Sequence, residues 1–332
     1  LAALSPGRVD IDPYLHDPLQ WGASMAHYAD LMMRCMDAVG ARSVVEVGAY
    51  AGDLTRALVQ WAAQTGGRVA AIDPSPQAEL VALAAEHERL ELIRQTSLRA
   101  LGEIELPDVL IIDGDHNYHT VIEELTLISA RASGPLLPLL LFHDVSWPHA
   151  RRDDYFDPEQ IPAADRHPLA GAGGIVPGDP GVRHDGLPYP RSAAREGGAR
   201  NGVLTAVEDF VAGDERLRLA VVPAFFGLGA VWHADAPWAA EVARILEPWD
   251  GNALLAALEF NRVGHIAGEH ALRVQLWALQ ERQARQERLL HRLLESSAFS
   301  VAERLSRLRV SAGIATGQSV ISRQEISRAL QG

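Results

Sequence analysis

The densest chemistry in this sequence lies in Ile111 to Leu125, IIDGDHNYHTVIEEL, where Asp113, Asp115, His116 and His119 crowd together. Imidazole gains and loses its proton near neutral pH, so a histidine among carboxylates is suited to general acid–base work. The same donors bind divalent cations. A second pair, His143-Asp144, closes the apolar run Leu136 to Phe142. Two further acids stand in similar places. Glu46 interrupts the run Val44, Val45, Val47 just before Gly48, Tyr50 and Gly52, and Asp73 ends Arg68-Val-Ala-Ala-Ile-Asp73. A carboxylate near the end of a buried strand is costly unless it meets donors, which favours a ligand or a loop cap over packing.

The elements that must position these groups follow from periodicity. Val44 to Val47, Arg68 to Asp73, Leu90 to Gln95, Asp108 to Asp113 and Leu136 to Phe142 read as buried strands, alternating with helices that include Leu54 to Gln64 and one starting near Asn117. That alternation predicts an α/β fold with a doubly wound, mostly parallel sheet. Ligands bind beyond the carboxyl ends of such strands, where every acid named above falls. Because adjacent parallel strands end side by side, Asp113 and Asp144 could converge on one divalent ion. Gly48 and Gly52 allow a tight turn and close approach of backbone N–H groups, making a nucleotide-type cradle at a helix start. The turn lacks the middle glycine of the dinucleotide fingerprint, so a nicotinamide cofactor is disfavoured. Asp73 lies about twenty residues beyond the turn, where a ribose-binding acid is expected. The plainer alternative is that Asp115 or Asn117 caps a helix and His116 is a solvated loop residue.

With these residues in place, the sequence resembles class I S-adenosylmethionine-dependent methyltransferases. The resemblance implies a Rossmann-like fold in which the E-x-G-x-x-x-G turn, here Glu46 to Gly52 with Tyr50 inside it, holds the methionine part of the cofactor, and Asp73 the ribose. The run IDGDH, followed by a helix and a fifth strand ending FHD, further resembles the macrocin-type O-methyltransferase and cephalosporin hydroxylase-like family. That likeness implies Asp113 as a cofactor and metal residue, His116 as the catalytic base, and Asp144 as one of an acidic pair. His143 stands where the pair's other acid would be, which leaves the metal open among Mg²⁺, Mn²⁺, Zn²⁺ and Fe²⁺.

The remaining chain frames this core. Residues 1–40 are expected to be an N-terminal cover ending in a helix from Met25 to Val39, where Tyr28, Met32 and Met36 form a stripe suited to core packing. Residues 41–236 form the expected methyltransferase domain. Within it, 146–202 loses sheet period and is rich in Gly, Pro, Arg and His, the pattern of a lid or of a disordered surface insertion. A helix from Asn201 to Phe210 follows, then Leu217 to Pro223 and Phe225 to His233 as an antiparallel pair, so that the last strand runs against the sheet. Residues 237–332 are expected to be a helical appendage: two short helices over Trp238 to Val263, then one long helix or two over Ile266 to Val310. Leu272, Leu276, Leu279, Leu290 and Leu294 lie at helical spacing, interrupted by Gln283 and Gln286. This face suits packing or homo-oligomerisation.

Composition narrows the partners. A formal charge of −13 argues against nonspecific nucleic-acid or anionic-membrane binding, and points to a small-molecule acceptor. Cys35, the only cysteine, rules out an internal disulfide and Cys-based zinc, and fits a reducing cytoplasm. Neither a secretory leader nor a membrane span is legible. The expected activity is O-methylation of a hydroxylated sugar or natural product with S-adenosylmethionine, with room for a divalent metal. The rival expectations are a metal-dependent oxygenase and a noncatalytic binding protein.

Overall fold

The computed structural model describes residues 24–314 and 322–329, so residues 1–23 of the expected N-terminal cover lie outside the described residues. The chain divides into two compact units, residues 1–268 and 269–332.

In the first unit, the apolar runs form β1 (Ser43–Val47), β2 (Arg68–Ile72), β3 (Leu90–Ile93), β4 (Val109–Ile112) and β5 (Leu139–Phe142). They pair in parallel. A hairpin of β8 (Leu217–Val222) and β9 (Leu228–His233) completes a seven-strand sheet in the order β3-β2-β1-β4-β5-β9-β8. β9 runs antiparallel to both neighbours. This is the expected Rossmann-like methyltransferase arrangement. Both faces are covered: Leu139 and Leu141 pack on one side, Leu140 and Phe142 on the other, as a two-residue side-chain period requires.

On the first face lie α1 (Ala29–Val39), α2 (Asp53–Thr65), α3 (Ala78–Glu86) and α7 (Ala239–Leu246); Met32, Cys35 and Met36 of α1 are core residues there. On the second lie α4 (Ser97–Glu103), α5 (Tyr118–Arg131) and α6 (Val203–Ala212). β5 starts at Leu139 and not Leu136, because Gly134–Leu136 is a 3-10 turn that leaves Leu136 exposed ahead of Pro138.

The segment after β5 departs from a loose insertion. It contains a small antiparallel pair, β6 (Gly174–Val176) and β7 (Asp179–Arg183), and is fastened by buried charges. The Arg152 guanidinium donates to the carbonyls of Ala193 and Pro180. Asp153 accepts from the Tyr118 and Gly202 amides and the Tyr155 hydroxyl. Partnered in this way at all but Arg152 Nε, buried charge fixes a loop.

The C-terminal helices also differ from expectation. The second short helix is the beginning of a 43-residue helix, α8 (Ala253–Glu295), because nothing from Ala253 to Glu295 breaks helical propensity strongly enough to end it. It ends before Ser296, whose side chain caps α9 (Ser297–Ser311). A last helix, α10 (Arg323–Ala329), belongs to the second unit, where Arg323 reaches Glu303 of α9. Among the described residues, no helix is long and apolar enough to cross a membrane.

Candidate active site

Sheet register brings the candidate residues together. Val47 pairs with Ile72 and with Ile112, and Ile112 pairs with Phe142. The next residue on each strand is therefore Gly48, Asp73, Asp113 or His143, four neighbours along one sheet edge. Strand order reverses between β1 and β4, the switch point at which open α/β sheets form a ligand crevice.

Around β1 the cradle has a definite geometry. Gly48 sits at φ +82, and a Cβ there would collide with the Asp113 carbonyl, so only glycine lets the two loops touch. Asp73 organises the turn: its Oδ2 accepts from the Tyr50 amide at 2.8 Å and its Oδ1 from the Ser75 amide at 2.7 Å. Carboxylate oxygens have acceptor capacity beyond one bond each, which suits ribose hydroxyls. Gly52, at φ +84, is the N-cap of α2. Glu46 is buried beneath the turn and accepts a 2.6 Å bond from the Thr55 hydroxyl. Burial pushes its carboxyl up to about 8; the Thr55 bond offsets part of this, while Asp113, Asp53 and Asp73 add to it. A cavity of about 440 Å³ runs along this edge, lined among others by Gly48, Tyr50, Asp73, Asp113 and His116, and by Phe156 of the insertion. A smaller cavity of about 220 Å³ lies beside Glu46 and Asp53. The cradle, the free acceptor capacity and the volume fit a nucleoside cofactor.

Beyond β4 and β5, ligand atoms of Asp113, His143 and Asp144 lie within 4.8 Å of one another. His143 Nε2 is 2.9 Å from the Phe225 carbonyl oxygen, which can only accept, so Nε2 carries a proton. Its Nδ1 faces two more acceptors, Asp113 Oδ1 at 3.2 Å and Asp144 Oδ2 at 3.5 Å. Something positive must stand between them: a second ring proton or a cation. Burial opposes charge on this ring, but Asp113 and Asp144 overcome it and hold the imidazole well above its ordinary range. Burial likewise works to raise Asp144, and the charges of His143 and His116 drive it below the usual carboxylate range. Two carboxylates and one imidazole whose outer nitrogen is fixed by a carbonyl are a donor set that fits a divalent cation.

His116 Nδ1 is 3.2 Å from Asp144 Oδ2. Its ring is half-buried and lies on the cavity wall. Burial depresses the imidazole, yet Asp144, Asp113, Asp154 and Asp115 together shift it upward. Asp115 serves the architecture, accepting from the Thr120 hydroxyl and from the Phe156 amide and so joining α5 to the insertion. Asn117 is the helix cap, accepting from the Thr120 amide at 2.8 Å. His119 also lines the cavity and approaches Asp165 at 3.6 Å.

Sequence reasoning missed His149. It is buried, stacks on His116 at 5.2 Å between ring centroids, and meets Tyr189 edge-on. Burial holds its imidazole below the ordinary value despite the pull of Asp144. It also missed Glu124, one turn along α5 from Thr120, buried with neither carboxyl oxygen hydrogen-bonded among the described residues. His149 carried no local signal because it opens an aperiodic segment. Glu124 could have been found as an acid on the apolar face of α5.

Residues 45–145 match the family model of a methyltransferase domain, and every candidate residue from Glu46 to Asp144 falls inside that segment. No curated protein matches the sequence. Among solved structures, the SAH-bound methyltransferase PaMTH1 of Podospora anserina is 17% identical at a TM-score of 0.40, covering 67% of this chain and 84% of its own. An O-methyltransferase family protein from Burkholderia thailandensis is 11% identical at a TM-score of 0.38, covering 68% and 62%. The 1,6-didemethyltoxoflavin-N1-methyltransferase of Burkholderia thailandensis is 15% identical at 0.36, covering 67% and 83%. Likeness this distant carries nothing about substrate. The segment that is similar to a methyltransferase domain spans under a third of the chain and contains the ends of β1, β2, β4 and β5 at which the candidate residues stand.

Proposed function

We propose that this chain methylates a hydroxyl of a small molecule, a sugar or other natural product, using S-adenosylmethionine and a divalent cation. The observation that carries this reading is the continuity of one cavity from the Asp73 and Gly48 cradle to His116, beside the Asp113, His143 and Asp144 cluster. Glu46, Gly48, Tyr50, Gly52, Asp73 and Asp113 hold the cofactor, which supplies a methyl group on a sulfonium. The acceptor oxygen displaces the sulfur in line, so the protein must supply alignment and proton removal.

His116 takes the hydroxyl proton. Asp144 orients its ring through Nδ1, leaving Nε2 for the acceptor. A cation held by Asp113, His143 and Asp144 would supply charge that lowers the hydroxyl pKa. Such a cation would also offset the pull of Asp113 and Asp144 that shifts the His116 imidazole upward. The donor set, with two carboxylates and one imidazole, is less suited to an oxygenase, whose iron site typically has two histidines and one carboxylate.

Residues 41–236 are the catalytic part, with 146–202 as a fastened roof over the acceptor. In the C-terminal helices, Leu272, Leu276, Leu279 and Leu293 are exposed and, with Leu290, fall on a four-three repeat in which Gln283 and Gln286 occupy the two intervening positions. A parallel pairing with a second copy would set Gln283 against Gln283, and Arg282 against Glu287 of the other chain. The antiparallel register over the same seam would bring the two Arg282 side chains together. A lone buried Cys35 suits the cytoplasm.

The test is transfer of isotopically labelled methyl from S-adenosylmethionine to a panel of hydroxylated acceptors, with S-adenosylhomocysteine measured in parallel. Label on an acceptor oxygen is the expected result. Absence of cofactor binding by calorimetry would remove the reading, and label on nitrogen would replace the acceptor class.

A further inference from the structure

We infer that Glu259 is a positioning residue, holding the turn between β8 and β9 in a form that aims the Phe225 carbonyl at His143 Nε2 and so directs Nδ1 at Asp113 and Asp144. The inference rests on the metal reading above. Glu259 lies on α8, far outside the segment that matches the methyltransferase model, and is 7% exposed.

Its two oxygens take one amide each: Oε2 accepts from the Phe225 N–H at 2.9 Å and Oε1 from the Phe226 N–H at 2.8 Å. Both phenylalanines are left-handed, at φ 42 and φ 67. Bulky L-residues rarely adopt this conformation, and successive amides so arranged form a concavity for an anion. The Glu259 carboxylate fills it. Arg262, one turn further along α8, closes the other side, its Nε and Nη2 donating to the same oxygens at 2.7 and 2.6 Å. The guanidinium also lies over the Phe226 ring at 4.4 Å. Compensated on both sides, the buried charge over-determines a strained turn, and strain held in this way clusters at functional sites.

The product of that strain is visible at the metal cluster. The Phe225 carbonyl meets His143 Nε2 at 2.9 Å, and the Phe226 ring stands edge-on to His143. Among the described residues, no group other than Glu259 accepts the Phe225 and Phe226 amides. Loss of the carboxylate therefore leaves both amides unpaired and loosens the Phe225 carbonyl and the ring orientation, while the bonds from Ser146 N–H to the Phe226 carbonyl and from Gly227 N–H to the Ala224 carbonyl remain. Groups that orient a ligating histidine in this way typically govern metal affinity.

Mn²⁺ affinity of the full chain, read by electron paramagnetic resonance, is expected to fall roughly 10- to 100-fold in Glu259→Ala. S-adenosylmethionine affinity by calorimetry should stay within about twofold, since among the described residues no hydrogen bond joins Asp73 or the glycine turn to α8. Glu259→Gln keeps the volume and one acceptor and should recover part of the loss. A folded Glu259→Ala with wild-type Mn²⁺ affinity overturns the inference, as does an equal loss of both affinities. If the wild-type chain binds no Mn²⁺, the metal reading has failed, and ¹⁵N NMR of the His143 ring decides instead. Faster exchange of the Nε2 proton in either variant then supports the positioning role, and unchanged exchange overturns it. Should Glu259→Ala not fold, Glu259→Gln carries both measurements.

Discussion

Replacing Glu124 with glutamine should make the protein's stability less dependent on pH, and the size of the effect follows from its surroundings. Glu124 sits on α5 at 1% exposure, one turn below Thr120, and among the described residues its carboxyl oxygens make no well-formed hydrogen bond, the Ser97 hydroxyl being the polar group that comes nearest to serving them. Burial pushes the carboxyl from 4.5 up to about 8, with the neighbouring Ser97 hydroxyl offsetting only part and Asp115 adding to the shift. The folded chain then holds this proton over a range where the unfolded chain has lost it. Stability from this group is complete below the unfolded value of 4.5 and is lost as pH rises through the folded value of about 8. Between about pH 5 and pH 8 the wild type should lose about 3 kcal/mol that Glu124→Gln does not, from the proton linkage of one group with those two values. Any fixed cost of burying the amide cancels in that comparison. Urea denaturation of both proteins at the two pH values measures it. If the stability difference between them stays constant from pH 5 to pH 8, Glu124 ionises freely in the folded chain and the buried, unpaired description of α5 is wrong.

The other predictions concern the site. Asp73→Ala should weaken cofactor binding by about 1 to 3 kcal/mol, because a charged acceptor is lost together with the bond that holds the Tyr50 amide; unchanged calorimetric affinity would detach Asp73 from the cofactor. EDTA should abolish turnover, and Asp144→Asn should raise the metal concentration needed for half activity without unfolding the chain; full activity of a metal-stripped preparation would leave His116 as a lone base. His116→Ala should keep cofactor affinity and lower the chemical step by roughly two to four orders of magnitude, flattening the acidic limb of the pH–rate profile; a wild-type single-turnover rate across pH would end the base assignment. Gln283→Cys should form a disulfide-linked dimer under mild oxidation if the leucine seam pairs in parallel, since Cys35 is buried and will not compete. A monomer by light scattering would end that pairing.

Much of the fold was legible because its signals are local. Runs such as Val109–Ile112 and Leu139–Phe142 are wholly apolar because both faces of a parallel sheet are covered, and that requirement shows in the one-dimensional string. Asn117 as a cap and the β8–β9 hairpin are also local. The extent of α8 was misjudged because no residue between Trp238 and Val263 marks that the second helix continues, and a helix end is set by a cap that is present or absent.

By itself the sequence determined which residues reach the sheet edge: once β1, β2, β4 and β5 are identified, Gly48, Asp73, Asp113 and His143 must stand beyond them. Tertiary structure alone decided what those residues face. Whether Nδ1 or Nε2 of His143 points at the acids depends on the Phe225 carbonyl, more than eighty residues away, and on Glu259 behind it. Whether His116 has a stacking partner depends on how 146–202 folds back, through Asp153 and Arg152, to bring His149 against it. Which segments are strands is encoded by periodicity along the chain, whereas the orientation and charge of a side chain are set by neighbours that meet only when distant segments pack.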